Sequence, residues 1–292
     1  MEIRTIKYFL TVARTGKISA AADELHMTQP PLSRSMQELE NELGKKLFIR
    51  GKRNIVLTDE GKLFRKRAEE ILFLLSKAKR EITCSDAELL GDVYIGGGES
   101  QGMKLILKAI ERLQHKRPKI HYHIFSGNAE SVIDKLDNGL LDFGVIFGDT
   151  VLDKYNYLRL PWVDKWGVLM TKNNRLTEKE YIAVDDLQKA PLIISEQMLK
   201  YNELSGWLGF AIEQLNIVAT YNLLHTAKQM VELGIGSAIC FAGIIDTKNL
   251  VFKPLFPALN ANMYLIWRKQ QIFSPAAAEY LLTVQNILKN SN

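Results

Sequence analysis

The sequence predicts two structural classes in one chain: an all-α winged helix-turn-helix region at the N-terminus and a larger α/β region. Residues 1–83 place apolar side chains at helical spacing between capping residues. Residues 91–290 alternate short β-prone runs with helical segments, which is typical of α/β domains. A length of 292 residues suits about two domains. The chain therefore divides into residues 1–58, a linker helix over 59–88, and an α/β domain over 89–292.

The first two helices are predicted from a short apolar stripe and two punctuating residues. Gly16 ends the first helix, because glycine readily adopts the left-handed conformation at a C-cap. Ser19 is then expected to cap a second helix that is rich in alanine. The apolar positions of the first helix are Ile6, Phe9, Leu10 and Ala13.

The third helix begins after Thr28, with Pro30 in its first turn, where no amide donor is needed. Its apolar stripe leaves a polar face at the helix start. Two short helices with such a face on the second describe a helix-turn-helix, because an α-helix fits the major groove and Arg and Gln can pair with base edges. The alternative is an ordinary helical hairpin with a solvated face. The stripe is Leu32, Met36, Leu39 and Leu43, and the polar face is Gln29, Ser33, Arg34 and Gln37.

A wing is predicted after this helix. Leu47 and Phe48 precede a basic loop, and Ile55 to Leu57 form a second β-prone run. Basic residues at the tip of such a ribbon can lie along the phosphate backbone. These residues are Arg50, Lys52 and Arg53.

A long helix follows Thr58, with Asp59 and Glu60 in its first turn, where they suit the helix dipole. Its apolar residues recur at alternating spacings of four and three, which is a heptad stripe and predicts pairing with a second copy. The alternative is one amphipathic helix packed on its own domain. The stripe is Phe64, Ala68, Ile71, Leu75, Ala78 and Ile82.

The net charge of +5 is unevenly distributed. Residues 1–90 hold 17 Lys and Arg against 13 Asp and Glu, whereas residues 91–292 hold 21 against 20. The basic excess therefore lies in the region that carries the helix-turn-helix. This asymmetry favours a polyanion such as DNA as its partner.

These residues resemble the DNA-binding domain and linker helix of the LysR-type transcriptional regulators. The resemblance implies that Gln29, Pro30, Ser33 and Arg34 meet bases and phosphates, and that Arg50 and Arg53 serve the wing. Local departures are Lys17 and Ile18, where Ser-Phe is commoner, and Pro31 and Leu32, where Ala-Val is commoner. The matching residues are Phe9, Ala13, Gly16, Ser19, Ala21, Ala22, Leu25, Gln29, Pro30, Ser33, Leu39, Glu40, Leu43, Gly44, Leu47, Phe48, Arg50, Leu57, Thr58 and Gly61.

The α/β region predicts a parallel sheet in two lobes of about 100 residues each. It resembles the LysR effector domain, which shares the fold of periplasmic solute-binding proteins. The resemblance rests on Asp142 after Gly139, and on Gly234 and Gly236 in the segment VELGIGSAI. One departure is Cys240-Phe241-Ala242, where the family usually has Leu-Pro.

Ligands of open α/β sheets bind at the carboxyl ends of strands, where helix N-termini favour anions. We therefore expect a small polar or anionic metabolite between the lobes. Three acidic residues nearby, Glu99, Asp149 and Glu196, oppose an anion unless they are paired. Each contact residue can instead be a helix cap or turn residue. The expected contacts are Ser100, Gln101, Ser126, Asn128, Phe147, Ser195 and Thr226.

Other chemistry is not supported by the sequence. His121 and His123 alternate on one strand without a further ligand at metal spacing, and no catalytic motif or cofactor fingerprint is present. Cys84 and Cys240 are far apart and suit a reducing cytoplasm, and no apolar run is long enough for a signal or membrane segment. The predicted function is a cytoplasmic, non-enzymatic regulator that binds promoter DNA and an effector as a homodimer or homotetramer. The alternative is an α/β solute-binding or enzymatic protein with an incidental helical N-terminus.

Overall fold

The computed structural model describes residues 1–51, 54–83, 90–148, 152–200 and 204–290. The chain forms two compact units, Met1–Cys84 and Ser85–Asn292, which are called the N-terminal and C-terminal units below. Lys52, Arg53, Cys84 and Asp149 lie outside the described residues.

The N-terminal unit contains four helices and a two-stranded antiparallel ribbon, as predicted. The ribbon pairs Phe48 with Leu57 and Arg50 with Ile55. The elements are α1 (Ile3–Thr15), α2 (Ile18–Glu24), α3 (Gln29–Leu43), β1 (Phe48–Arg50), β2 (Ile55–Leu57) and α4 (Asp59–Thr83).

The helix ends follow the sequence with one exception. Gly16 ends α1 with a φ of 66°, and its amide donates to the carbonyl of Val12. The N-cap of α2 is Lys17, so Ser19 lies within the first turn of the helix and does not cap it. The prediction for Ser19 was wrong because α2 begins at Ile18, one residue before the serine.

Aromatic stacking forms the centre of this unit. The ring of Phe9 lies 5.2 Å from the ring of Phe48 and 4.7 Å from that of Phe64, so α1, the wing and α4 share one core. Leu43 is 39% exposed, because it lies in the last turn of α3, beyond the reach of this core.

Glu40 attaches the wing to α3. Its carboxylate is 7% exposed and accepts hydrogen bonds from the amides of Leu47 (2.8 Å) and Phe48 (3.2 Å) and from the Lys46 ammonium (2.9 Å). Burial by itself raises the pKa of Glu40, but these three donors outweigh it and hold the pKa below its usual range.

The start of α4 is fixed against the wing by two close contacts. The Thr58 hydroxyl donates to the carbonyl of Lys46 (2.7 Å) and accepts from the amide of Gly61 (2.9 Å). A side chain at Gly61 would place its Cβ 2.1 Å from the carbonyl oxygen of Leu47. Glycine is therefore required here for close backbone approach.

The C-terminal unit is built on a nine-stranded mixed sheet. Its main path runs β4-β3-β5-β11-β6-β9-β7-β8, and β10 pairs with β6. Short 3₁₀ helices span Leu152–Lys154, Arg175–Glu178 and Ile212–Gln214. The strands are β3 (Gly91–Gly97), β4 (Ile120–Ser126), β5 (Phe143–Phe147), β6 (Tyr155–Thr171), β7 (Leu192–Ser195), β8 (Ile217–Tyr221), β9 (Ser237–Phe241), β10 (Leu250–Pro254) and β11 (Asn260–Arg268). The helices are α5 (Met103–Lys116), α6 (Ala129–Asp137), α7 (Val184–Gln188), α8 (Glu196–Lys200), α9 (Ser205–Leu208), α10 (Leu224–Glu232) and α11 (Pro275–Lys289).

Two lobes share strand β6. The first lobe contains β3, β4, β5 and β11 with α5, α6 and α11, and the second contains β7 to β10 with α7 to α10. Each lobe has its own apolar core, around Phe143 and Tyr280 in the first and around Val168 and Ile194 in the second. The predicted two-lobed α/β domain is confirmed.

The parallel pairing predicted from the alternating strands and helices is observed, but the sheet as a whole is mixed. Strand β3 pairs in parallel with β4 and β5, and β7 pairs in parallel with β8 and β9. Strand β6 runs antiparallel to β9, β10 and β11, and β11 also runs antiparallel to β5. These strands are antiparallel because the chain passes from one lobe to the other along β6 and returns along β11.

Glu40→Gln is expected to loosen the wing. The amide retains one acceptor oxygen and loses the charge, which costs about 1–3 kcal/mol at a buried charged hydrogen bond. Since the folded pKa of Glu40 lies below its unfolded value of about 4.3, this stabilisation is present above that pH. It is lost as the pH falls through the folded pKa. Hydrogen exchange of the Leu47 and Phe48 amides in the full chain measures the effect.

The matched control is Glu38→Gln. Glu38 is exposed and makes a surface ion pair with Arg34, which contributes a few tenths of a kcal/mol. Equal protection of the Leu47 and Phe48 amides in both variants would contradict the assigned role of Glu40.

Candidate DNA interface and effector cleft

The N-terminal half of α3 presents the polar face that the sequence predicts. The opposite face is buried against α1 and α2, which fixes the orientation of the helix. Arg34 is 81% exposed in its side chain and donates from Nε to Glu38 Oε1 (3.0 Å). Ser33 is half-buried, and Ser19 is exposed on α2. The other exposed residues of this face are Thr28, Gln29, Pro30 and Gln37.

Two prolines explain an unusual feature of the first turn of α3. An N-cap hydroxyl normally accepts from the amide at the second or third helical position. Those positions are Pro30 and Pro31, which have no amide hydrogen, and Thr28 makes no side-chain cap bond. The Thr28 hydroxyl therefore does not cap α3.

The wing is held in place by backbone bonds. The amide of Ile55 donates to the carbonyl of Gly16 (2.8 Å), and the amide of Gly51 donates to the carbonyl of Asn54 (2.9 Å). Arg50 is the last residue of β1. The predicted basic tip comprises Arg50, Lys52 and Arg53. The side chain of Arg50 and the whole of Lys52 and Arg53 lie outside the described residues.

The heptad stripe of α4 is divided between two environments. Phe64 packs on Phe9, and Ala68 is fully buried in the core of its own unit. Ala68 thus has no surface left to bury against a second chain, which corrects its predicted role. Farther along, Ile71 is 38% exposed and Ile82 is 84% exposed. Ala78 is also exposed, and Leu75 is half-buried.

An inner cavity of about 120 Å³ lies between the lobes of the C-terminal unit. Four of the expected contacts line it. They lie at or just after the carboxyl ends of parallel strands, where open α/β sheets bind their ligands. Thr226 does not line it, because α10 turns this residue to solvent, and Leu223 and Leu224 take its place. The four are Ser126, Asn128, Phe147 and Ser195.

Ser100 and Gln101 line an adjacent outer cavity of about 670 Å³. The Ser100 hydroxyl donates to Asp164 Oδ2 (2.5 Å) and accepts from the amide of Gly102 (2.9 Å). Burial raises the pKa of Asp164, against the hydrogen bonds from Ser100 and Trp162. The Ser100 hydroxyl is therefore engaged in the fold, which argues against its predicted role as a ligand contact.

Two other expected contacts also act as helix caps. Asn128 Oδ1 accepts from the amide of Ser131 (2.9 Å) at the start of α6. Ser195 Oγ accepts from the amide of Met198 (3.2 Å) at the start of α8. These side chains thus face the cavity while their acceptor oxygens are already engaged.

Direct contacts join the two lobes around the inner cavity. Gln197 Oε1, from the second lobe, accepts from the amide of Ala129 in the first (3.0 Å). Lys200 forms an ion pair with Glu130 (2.6 Å). Gln101 donates its side-chain amide to the carbonyl of Gly243. The lobes are therefore linked by polar contacts that a change in their relative angle would break.

Apart from Phe147, the aromatic wall of the inner cavity was missed in the sequence analysis. Trp166 on β6 pairs with Phe241 on β9, and their rings lie 4.0 Å apart. Phe147, from the first lobe, lies 5.3 Å from Phe241. Tyr221 and Cys240 complete this wall. The departure at Cys240-Phe241 could have indicated an altered pocket lining, whereas the Trp166 pairing depends on sheet register.

The structure shows no cluster of three metal-ligating side chains in its described part. Among the described helices, none combines the length and the apolar character that a membrane span requires.

The comparisons with known proteins agree with this geometry. Residues 3–62 match the bacterial regulatory helix-turn-helix protein, lysR family, and residues 86–286 match the LysR substrate binding domain. The chain belongs to the LysR family. It is a DNA-binding transcriptional regulator with an effector-binding domain.

Similar proteins include the transcriptional regulator BsdA of Bacillus subtilis, which is 36% identical over 82% of this chain and 83% of that protein. HcaR, an Hca operon transcriptional activator of Escherichia coli, is 25% identical over 99% and 98%. The structure of full-length CbnR with its target DNA matches with a TM-score of 0.76 at 20% identity, covering 98% of this chain and all of that one. BsdA and HcaR are regulators of transcription.

Cys240 is expected to react slowly with alkylating agents. Burial raises the pKa of its thiol to about 12, so its thiolate fraction at pH 7 is roughly a thousandfold below that of a free thiol with a pKa of about 8.5. Iodoacetamide labelling followed by peptide mass spectrometry measures this rate. The same residue in urea serves as its own control. Comparable labelling rates in the native and unfolded protein would contradict the expectation.

Proposed function

We propose that α3 enters the major groove of promoter DNA through its N-terminal half. The observation that carries this proposal is the exposed polar face of α3, opposite the buried side chains of Leu32, Met36 and Leu39. Arg34 can donate a bidentate pair to guanine, and Gln29 or Gln37 can pair with adenine. The remaining residues of the face, Thr28, Pro30, Ser33 and Ser19 on α2, contact phosphates or sugars and set the register.

The wing supplies backbone contacts beside the groove. The β1–β2 turn is tied to the end of α1 by the bond from Ile55 to Gly16, so its position relative to α3 is set. Arg50 is the last residue of β1, and Lys52 and Arg53 lie between β1 and β2 in the sequence. Each phosphate that they neutralise steepens the dependence of binding on salt.

The C-terminal unit controls DNA binding through an effector between its lobes. Gln197, Lys200 and Gln101 make contacts from one lobe to the other, so their free energies depend on the lobe angle. A ligand that binds one angle more tightly than another shifts the population toward it. Small-molecule binding is thereby coupled to the arrangement of paired DNA-binding units.

Helix α4 pairs with a second copy through its exposed heptad positions, Ile71, Leu75, Ala78 and Ile82. Ile82 exposes 84% of its surface, which is unfavourable for an apolar side chain unless a partner covers it. The homodimer, alone or paired into a tetramer, presents two recognition helices to a palindromic site. We place this assembly in the cytoplasm, where its DNA is found.

Arg34→Ala is expected to weaken binding to the promoter duplex upstream of the chain's own gene. Loss of a bidentate base contact costs about 1–3 kcal/mol, or roughly 5- to 150-fold in affinity, and relaxes sequence preference at one position. Fluorescence anisotropy with cognate and scrambled duplexes at two salt concentrations measures both effects.

The matched control is Arg112→Ala, which removes an exposed arginine from α5 in the C-terminal unit. It should bind like the unchanged protein. If the unchanged protein does not discriminate the cognate duplex, or if both variants behave alike, α3 is not the reading element.

Ile82→Lys is expected to weaken self-association, because a charge replaces an apolar contact in the paired α4 helices. Ile71→Lys should act in the same direction. Sedimentation velocity measures the oligomeric state. Leu63→Lys changes an exposed leucine of α4 outside the stripe and should leave assembly intact. An unchanged sedimentation profile for Ile82→Lys would refute pairing through this stripe.

A further inference from the structure

The inner cavity contains no basic side chain among its described lining residues. Its two ionisable carboxylates are Glu99, after β3, and Glu196, at the start of α8. Neither forms an ion pair within the described part of the chain. The expectation of an anionic ligand therefore meets two negative charges here and no compensating cation.

Aromatic rings line the same cavity, and they favour a cation as the carboxylates do. Trp166 and Phe241 are in contact, and Phe147 adds a third ring from the other lobe. The face of an aromatic ring carries negative potential and attracts a cation within about 6 Å of its centre. Carboxylates and ring faces together favour a positively charged group and disfavour a negative one.

Of the described residues that line the two cavities, the basic ones all line the outer cavity. Lys104, His225 and Lys228 line that space, together with Asp246. Lys228 is already paired with Glu232 at 2.6 Å. The inner and outer cavities share Glu99 and Ser126, so a ligand can extend from one into the other. The charge pattern therefore orients the ligand, with its cationic end inward.

The size of the inner cavity limits the group that it can hold. A volume of about 120 Å³ corresponds to about eight water-sized positions. This is the scale of a small organic ammonium head with a few carbons. A larger ligand must place the rest of its structure in the outer cavity.

We propose that the effector of this protein carries an organic ammonium group, which binds in the inner cavity between Glu99, Glu196 and the rings of Trp166 and Phe241. This inference rests on the proposed function of the cleft as the effector site. The proposed ligand is cationic, whereas the sequence predicted a polar or anionic one. The residues that would select it, Glu99, Glu196, Trp166 and Phe241, are not among the contacts that the sequence predicts.

The test compares three probes of one shape and different charge on the full-length protein. Choline is the cation, 3,3-dimethylbutan-1-ol is its neutral carbon analogue, and 3,3-dimethylbutanoate is the anion. Tryptophan fluorescence reports binding because Trp166 lines the cavity, and Trp166→Phe identifies its share of the signal. Choline is expected to bind about tenfold more tightly than the alcohol, whose head is neutral. The anion carries its charge at the other end of the molecule, toward the outer cavity, and serves as a control for that end.

Variants separate charge from shape. Glu99→Gln and Glu196→Gln should each reduce choline affinity toward that of the alcohol, while alcohol affinity stays unchanged. Glu111→Gln on α5 removes an exposed carboxylate away from the cavity and should change neither. A similar loss of affinity for both probes would indicate a purely structural effect and would overturn the charge argument.

Two results overturn the proposal: equal affinities for choline and the alcohol, or no choline binding through the low-millimolar range. Neither of them affects the measurement of duplex affinity for Arg34→Ala. Failure of the DNA experiment contradicts the proposed function, whereas failure of the charge series with DNA binding intact contradicts only the ammonium ligand.

Discussion

Strand β6 is the constraint on which the C-terminal unit depends. Its 17 residues run without interruption from the first lobe into the second. Its first half pairs with β11, and its second half pairs with β9 and β10. Because one hydrogen-bonded strand belongs to both lobes, the lobes can change their angle only where β6 and β11 bend. The same strand carries Asp164 beside the outer cavity and Trp166 in the inner one.

Both cavities are therefore connected to strand β6. Asp164 accepts the Ser100 hydroxyl and the Trp162 indole, which fixes the loop after β3 to β6. Two residues farther along, Trp166 faces the ligand space and contacts Phe241. A ligand that moves the rings of the inner cavity thus acts on the strand that connects the lobes. In the proposed function, the continuous strand β6 is what connects ligand binding to the angle between the lobes.

Much of the N-terminal unit could be predicted from the sequence because its determinants are local. Helix spacing, Gly16 at a C-cap and proline in a first turn each act within a few residues. Ala68 shows the limit of this reasoning: a heptad pattern identifies an apolar position but does not say whether its own domain already covers it. Glu40 was matched to the family but was given no role, since its partners lie seven and eight residues away, across the start of the wing.

The effector cleft was predicted less completely because its walls are assembled by long-range pairing. The start of β6 was missed, since residues 155–165 include a proline and several polar residues and become a strand only through pairing with β11. Thr226 was expected in the cleft, whereas α10 begins at Leu224 and buries the face that contains Leu224 and Ala227. Trp166 contacts Phe241 through the β6–β9 register, which no local pattern specifies.

The prolines at the start of α3 have a consequence for the thermodynamics of DNA recognition. A helix end that frays in the free protein must be ordered on the DNA, and that ordering opposes binding by about 1–2 kcal/mol for each residue fixed. Pro30 and Pro31 restrict their own backbone dihedrals before any contact is made. The turn that we propose to meet the base edges has therefore lost most of its conformational freedom during folding. The backbone entropy of this turn is lost when the protein folds. Little of it therefore remains to be lost when the turn binds the promoter.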